Sequence, residues 1–84
     1  MTDKTRIILE SLSMDLLRVA LGRHRGQDQM AKRFTTEAKT RLSELTDFTL
    51  SEKVLFSLNS TAKRSAEDLL MYSTLVRNHA SQST

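Results

Sequence analysis

The sequence predicts an all-α protein, a small chain of three helices, and three observations support this class. The 84 residues contain no proline, and both glycines lie close together, at positions 22 and 26. The strongest helix breakers are therefore absent from most of the chain. Apolar residues recur at spacings of three and four, which is the period of an amphipathic helix. No segment alternates apolar and polar residues, so strands are not expected.

The first helix is predicted over about residues 3–21, starting near Asp3, which is a favourable N-cap residue. One apolar stripe comprises Ile8, Leu9, Leu12, Leu16, Val19 and Ala20. Four further apolar residues lie outside it: Ile7, Met14, Leu17 and Leu21. A helix that is apolar on more than one face must be covered from more than one side. Gly22 is expected to end this helix, because glycine tolerates the left-handed conformation of the C′ position.

The second helix is predicted over about residues 28–46. Its apolar stripe is one side chain wide and the rest of its surface is polar, which is typical of an outer helix with one buried face. The stripe comprises Met30, Phe34, Ala38, Leu42 and Leu45.

The third helix is predicted to be long, over about residues 50–78. Thr49 followed by Glu52 has the capping-box pattern that begins a helix. Its apolar face comprises Leu55, Leu58, Ala62, Ala66, Leu69 and Val76. The segment 59–61 has weak helix propensity, and Ser65 with Asp68 could start a new helix there. We nevertheless expect one long helix, with or without a bend, followed by a frayed polar tail over 80–84.

The length predicts a single helical domain, residues 1–84, that would be only marginally stable alone. Such small domains usually gain stability from disulfides, a metal or a partner. The chain has no cysteine, which excludes disulfides, and two histidines far apart do not suggest a metal site. No cofactor is expected. The sequence therefore predicts a homo-oligomer, most simply a dimeric helical bundle in which the first and third helices meet. The residues expected in the core or in self-association are Leu12, Leu16, Leu58, Leu69, Tyr72 and Leu75.

The middle of the chain is basic, because residues 18–41 contain seven lysines and arginines but only two acidic residues. Candidate anion or nucleic-acid contacts are Arg23, His24, Arg25, Lys32, Arg33 and Lys39. Two interpretations of the segment from Gly22 to Gly26 compete: an anion-binding turn, or a solvated corner between helices. We favour the corner, because the segment lacks phosphate-loop spacing and follows no strand. Replacing Arg23 and Arg25 with Ala should then leave folding nearly intact.

Several functional classes are disfavoured by the sequence. A helix-turn-helix motif would match Met30, Ala31 and Phe34, but its later turn and apolar positions hold Thr35, Thr36, Arg41 and Glu44. No recognisable nucleophile motif is present, and a short helical chain has little room for a deep pocket, so an enzyme is not expected. The chain contains no run of about 18 apolar residues, so no membrane span is expected.

The predicted function is a non-enzymatic small helical interaction module, an adaptor or regulator that binds a protein partner and self-associates. The alternative is a nucleic-acid-binding regulator that uses the basic surface of residues 18–41. The absence of cysteine and of a cleavable leader pattern indicates the cytoplasm.

Overall fold

A computed structural model of the chain describes residues 3–45, 50–60 and 64–81. These residues form four helices, in the order α1 (Asp3–His24), α2 (Asp28–Ser43), α3 (Ser51–Asn59) and α4 (Arg64–Ser81). The all-α prediction is confirmed. The prediction of three helices is wrong, because the long helix expected over residues 50–78 is divided into α3 and α4.

The division occurs at Ser60, whose backbone is extended, with φ −75° and ψ 142°. Asn59 and Ser60 are poor helix formers, so leaving the helical conformation at this point costs little. A continuous helix over 50–78 would measure about 43 Å at 1.5 Å per residue. The described molecule is only 36 Å in its longest dimension. Two shorter helices can both pack on the same core, whereas one long helix would extend beyond it.

The helices run up and down around a shared core. Gly22 of α1 approaches Ala31 of α2 near one end, and Asp15 lies 3.7 Å from Arg41 further along, so α1 and α2 are antiparallel. The end of α1 also meets the start of α4, where Arg23 donates to Ser65. α1 packs against α2 and, most extensively, against α4, while α3 packs against α2 and α4. This is the neighbour pattern of a four-helix bundle.

The core is formed by one apolar side of each helix. α2 contributes little to it, as its narrow stripe predicts: only three of its residues are buried, Ala31, Ala38 and Leu42. The buried cluster comprises Leu9, Leu12, Leu16, Val19, Ala20, Ala38, Leu42, Val54, Leu58, Leu69, Val76 and Ala80. Phe34, Leu45, Leu50 and Tyr72 pack against it and are partly buried.

The end of α1 differs from the prediction, because the helix passes through Gly22 and continues to His24. The left-handed residue is Gly26, with φ 73°. The Gln27 N–H donates to the Gly22 carbonyl at 2.8 Å, and the Gly26 N–H donates to the Arg23 carbonyl at 3.4 Å. These two bonds form a Schellman motif with Gly26 at C′. Gly22 has a different role: a Cβ there would lie 3.1 Å from the Ala31 Cβ, so glycine allows α1 and α2 to approach closely.

The other helix boundaries shift by a few residues. α2 ends at Ser43 instead of 46, and α4 continues to Ser81. Ala80 is buried in the core, so it belongs to α4 and not to a frayed tail. The predicted cap at Thr49 lies outside the described residues. α3 begins at Ser51, and its N-cap residue Leu50 makes no side-chain hydrogen bond.

Candidate functional site

Arg23 connects the end of α1 to the junction between α3 and α4. Its Nη1 donates to the carbonyls of Ser57 and Ser60, each at 3.0 Å, and to the Ser65 Oγ at 2.8 Å. Its Nη2 donates to the Leu58 carbonyl at 2.6 Å. The last carbonyls of a helix have no intrahelical partner, so a guanidinium at this position satisfies them and also faces the negative end of the helix dipole.

This finding overturns the solvated-corner interpretation for Arg23. Burial lowers the pKa of its guanidinium, although an arginine stays protonated at neutral pH. His24 and Arg25 are exposed, as a solvated corner predicts. One segment therefore contains two kinds of residue: an inward arginine that holds the fold together and two residues that face solvent.

A cleft of about 740 Å³ lies beside this junction. Its walls come from the end of α1, from α2, and from the residues on either side of the α3–α4 break. The lining residues are Arg23, His24, Asp28, Ala31, Lys32, Thr35, Thr36, Lys39, Ser60 and Ala66. Three of them are lysine or arginine and one is acidic, so the cleft carries net positive charge.

The α2 wall of the cleft presents Lys32 and Lys39 on one helix face, seven residues apart. Both lysines are exposed. Between them, Thr35 and Thr36 donate their hydroxyl hydrogens to the carbonyls four residues earlier, at 2.7 and 3.2 Å. Those hydroxyls are thus committed to the helix backbone. The two ammonium groups are the principal donors that the wall offers to a ligand.

The structure separates the six basic residues predicted as anion contacts. Arg23, His24, Lys32 and Lys39 line the cleft, whereas Arg25 and Arg33 do not. Arg33 lies 5.7 Å from the centre of the Phe34 ring and 4.0 Å from a Glu37 oxygen. Arg33 therefore interacts with its own helix and does not line the cleft.

A second surface is the outward side of α1. Ile7, Met14 and Leu21 are spaced by seven residues, and Leu17 lies between the last two. Ile7 is 60% exposed, Met14 53%, Leu17 39% and Leu21 36%. Positions at this spacing share one side of a helix, and the buried residues of α1 lie on the opposite side. We call these four residues the α1 stripe.

The residues predicted for the core or for self-association occupy different environments. Leu12, Leu16, Leu58 and Leu69 are in the core, and Tyr72 packs against it. Leu75 is 42% exposed, like Leu70 and Met71 on the same helix. On α3, Leu55 and Phe56 are also exposed, and Phe56 is the most exposed large apolar residue described, at 78%.

The spacing of residues in the sequence does not reveal that Asp15 is a buried charge. Its side chain is 6% exposed and lies 3.7 Å from Arg41 and 4.0 Å from Arg18. Its pKa is raised, first by burial and then by the nearby Glu37 carboxylate, while Arg41 and Arg18 partly oppose the rise. Only a tertiary contact with α2 reveals this group, so no local pattern could have identified it.

The described residues contain no group of three or more histidine, cysteine or acidic side chains that could hold a metal ion. Among the same residues, no helix is both long and apolar enough to cross a membrane. No protein-family model, curated protein or solved structure matches the chain.

Proposed function

We propose that this protein is a non-enzymatic helical interaction module that self-associates and acts by binding a protein partner. The observation that supports this proposal is the α1 stripe, a row of large apolar side chains on the outward side of α1. Met14, Leu17 and Leu21 are three and four residues apart and are therefore neighbours on the helix surface, and adjoining exposed apolar side chains are typical of protein–protein contact sites. Within its own chain, α1 is already covered by α2 and α4 on its other sides.

A second copy of the chain is the occupant that the stripe fits. Ile7 and Leu21 lie at equal distances along α1 from Met14, so two antiparallel copies can place Ile7 of one against Leu21 of the other. The charges beside the stripe follow the same arrangement: Glu10 lies four residues before Met14 and Arg18 four residues after it. An antiparallel pair brings Glu10 of one copy towards Arg18 of the other. Such self-complementarity is what a two-fold interface requires.

Sedimentation equilibrium on a charged stripe variant tests the proposal. The wild-type chain should sediment as a dimer at micromolar concentrations, and Met14→Lys with Leu17→Lys should give a monomer, since a buried lysine is costly at an apolar interface. Phe56→Lys is the matched control, because it replaces a more exposed apolar residue on a different helix. A monomeric wild type, or loss of the dimer only in the Phe56 variant, would contradict the proposal.

Nucleic-acid binding is the second candidate, and the observation that favours it is the clustering of cations in the cleft. Basic residues that are distant in sequence lie around one recess there. A gel shift with oligonucleotides of mixed sequence at two salt concentrations tests this candidate. Binding should weaken steeply as salt increases, because each phosphate contact releases a counterion. An absence of binding at low salt would exclude this function.

A further inference from the structure

We propose that the cleft binds the sugar–phosphate backbone of a single-stranded nucleic acid, with Lys32 and Lys39 as its phosphate contacts. The inference rests on the second candidate function and adds the site, the contact residues and the form of the ligand. Only some of the basic residues in and after the turn line the cleft, and Lys32 and Lys39 are among them.

The spacing of the two lysines suits an extended polyanion. Seven residues of helix separate them by about 10 Å along the axis of α2. Neither lysine forms an ion pair with an acidic side chain in the described part of the molecule. Asp28 is the acidic residue among the described lining residues of the cleft. It lies at the start of α2, so Lys32 stands between Asp28 and Lys39 along the helix. A ligand with several linked phosphates can contact both ammonium groups at once, each at a different phosphate.

Arg23 acts in this site as a positioning residue. Its guanidinium is bonded to three carbonyls and one hydroxyl at the α3–α4 junction, which commits it to the protein. Ser60 and Ala66, which flank that junction, form the wall that the junction contributes to the cleft. Arg23 therefore fixes the position of this wall relative to the lysines. His24, exposed at the end of α1, adds an imidazole at the edge of the cleft.

The shape and chemistry of the cleft favour a single strand over a duplex. Proteins read the bases of a duplex by placing a protruding helix or ribbon in its groove, whereas a recess with lysines along one wall can follow the backbone of one strand. The described lining residues include no Phe, Tyr or Trp, so the contacts proposed here are to phosphates and not to stacked bases. Binding through phosphates alone should be independent of sequence and strongly dependent on salt.

Fluorescence anisotropy with a labelled oligothymidylate tests the site. The test variant is Lys32→Gln with Lys39→Gln, and the matched control is Arg25→Gln with Arg33→Gln. Both variants lose the same formal charge, but only the first changes the cleft.

The Lys32→Gln, Lys39→Gln variant should bind about tenfold more weakly at low salt. The slope of log affinity against log salt concentration should fall by about 1.4, which is the value for two lost contacts to a single strand. The control should retain most of the affinity. Thermal melts by circular dichroism should show that both variants fold like the wild type, since all four residues are exposed.

The possible results distinguish a failure of the proposed cleft site from a failure of nucleic-acid binding as a whole. If the two double variants lose affinity equally, the cleft is not the binding site. Nucleic-acid binding would then depend on the general positive charge of the surface. A wild type that does not bind at low salt would overturn both. A nucleoside triphosphate can be tested as a competitor at the same phosphate concentration as the unlabelled oligonucleotide. If it competes equally well, the ligand is a free polyphosphate, and the proposal of a single-stranded nucleic acid is wrong. Tighter binding of a duplex, or a strong preference for oligoadenylate over oligothymidylate, would contradict the proposed mode of recognition.

Discussion

The Arg23 guanidinium joins residues that are 34 to 42 positions apart in the chain. We predict that Arg23→Gln lowers the free energy of unfolding by about 2–3 kcal/mol, because it leaves carbonyls at the end of α3 without a charged donor. Urea unfolding monitored by circular dichroism measures the loss. Arg25→Gln is the control, and it should change stability by less than about 0.5 kcal/mol because Arg25 is exposed. Equal effects of the two substitutions would show that the Arg23 hydrogen bonds contribute little to stability.

Asp15 makes stability depend on pH. Its folded-state pKa is raised above the ordinary value of 3.8, so the folded state binds this proton more tightly than the unfolded state does. The contribution of Asp15 to stability is therefore largest below pH 3.8 and is lost as the pH rises through the raised pKa. Urea unfolding of the wild type and of Asp15→Asn between about pH 3 and 7 isolates this group. The wild type should lose stability relative to the variant as the pH rises, and an opposite slope would show that Arg41 and Arg18 outweigh burial.

At the scale of the elements, the turn between α1 and α2 depends on the backbone conformation of one residue. Gly26 has φ 73°, and no heavy atom lies within 4 Å of a Cβ built there. Gly26→Ala should therefore destabilise the protein only through backbone strain, by about 1–2 kcal/mol. Thermal or urea unfolding measures this cost. Gly26→Asn is the informative comparison, since asparagine tolerates the left-handed conformation better and should cost less. Equal stability of the alanine variant and the wild type would show that the turn can adopt another conformation.

The helices themselves were largely predictable, and their ends were not. The spacing of apolar residues predicted α1 and α2, because a helix with one buried face has apolar residues at a period of 3.6. That period can be read from the sequence of the helix alone. At the break, Arg23 donates to the Ser57, Leu58 and Ser60 carbonyls, which a continuous helix would have satisfied with its own N–H groups. Local propensity identified the weak segment but could not show that a distant side chain would stabilise the break.

At the scale of the whole molecule, the proposed dimer predicts a thermal midpoint that depends on protein concentration. Association stabilises only the folded chain, so the midpoint should rise as the total concentration increases. Circular dichroism melts over a hundredfold concentration range would detect the shift, and the Met14→Lys, Leu17→Lys variant should show none. A wild-type midpoint that stays constant over this range would argue against a dimer that contributes to stability.

The sequence by itself determined the helical class and the basic character of the middle of the chain. These properties follow from composition and from the spacing of neighbouring residues, which act over one or two turns of helix. Only the tertiary structure decided that Arg23 turns inward while Arg25 faces solvent, and that Lys32 and Lys39 share a cleft with Ser60 and Ala66. The stripe of Ile7, Met14, Leu17 and Leu21 was visible as surplus apolar surface, but its exposure depends on where α2 and α4 pack. The physical reason is that burial and long-range hydrogen bonds join residues far apart in the chain, and local spacing carries no information about those partners.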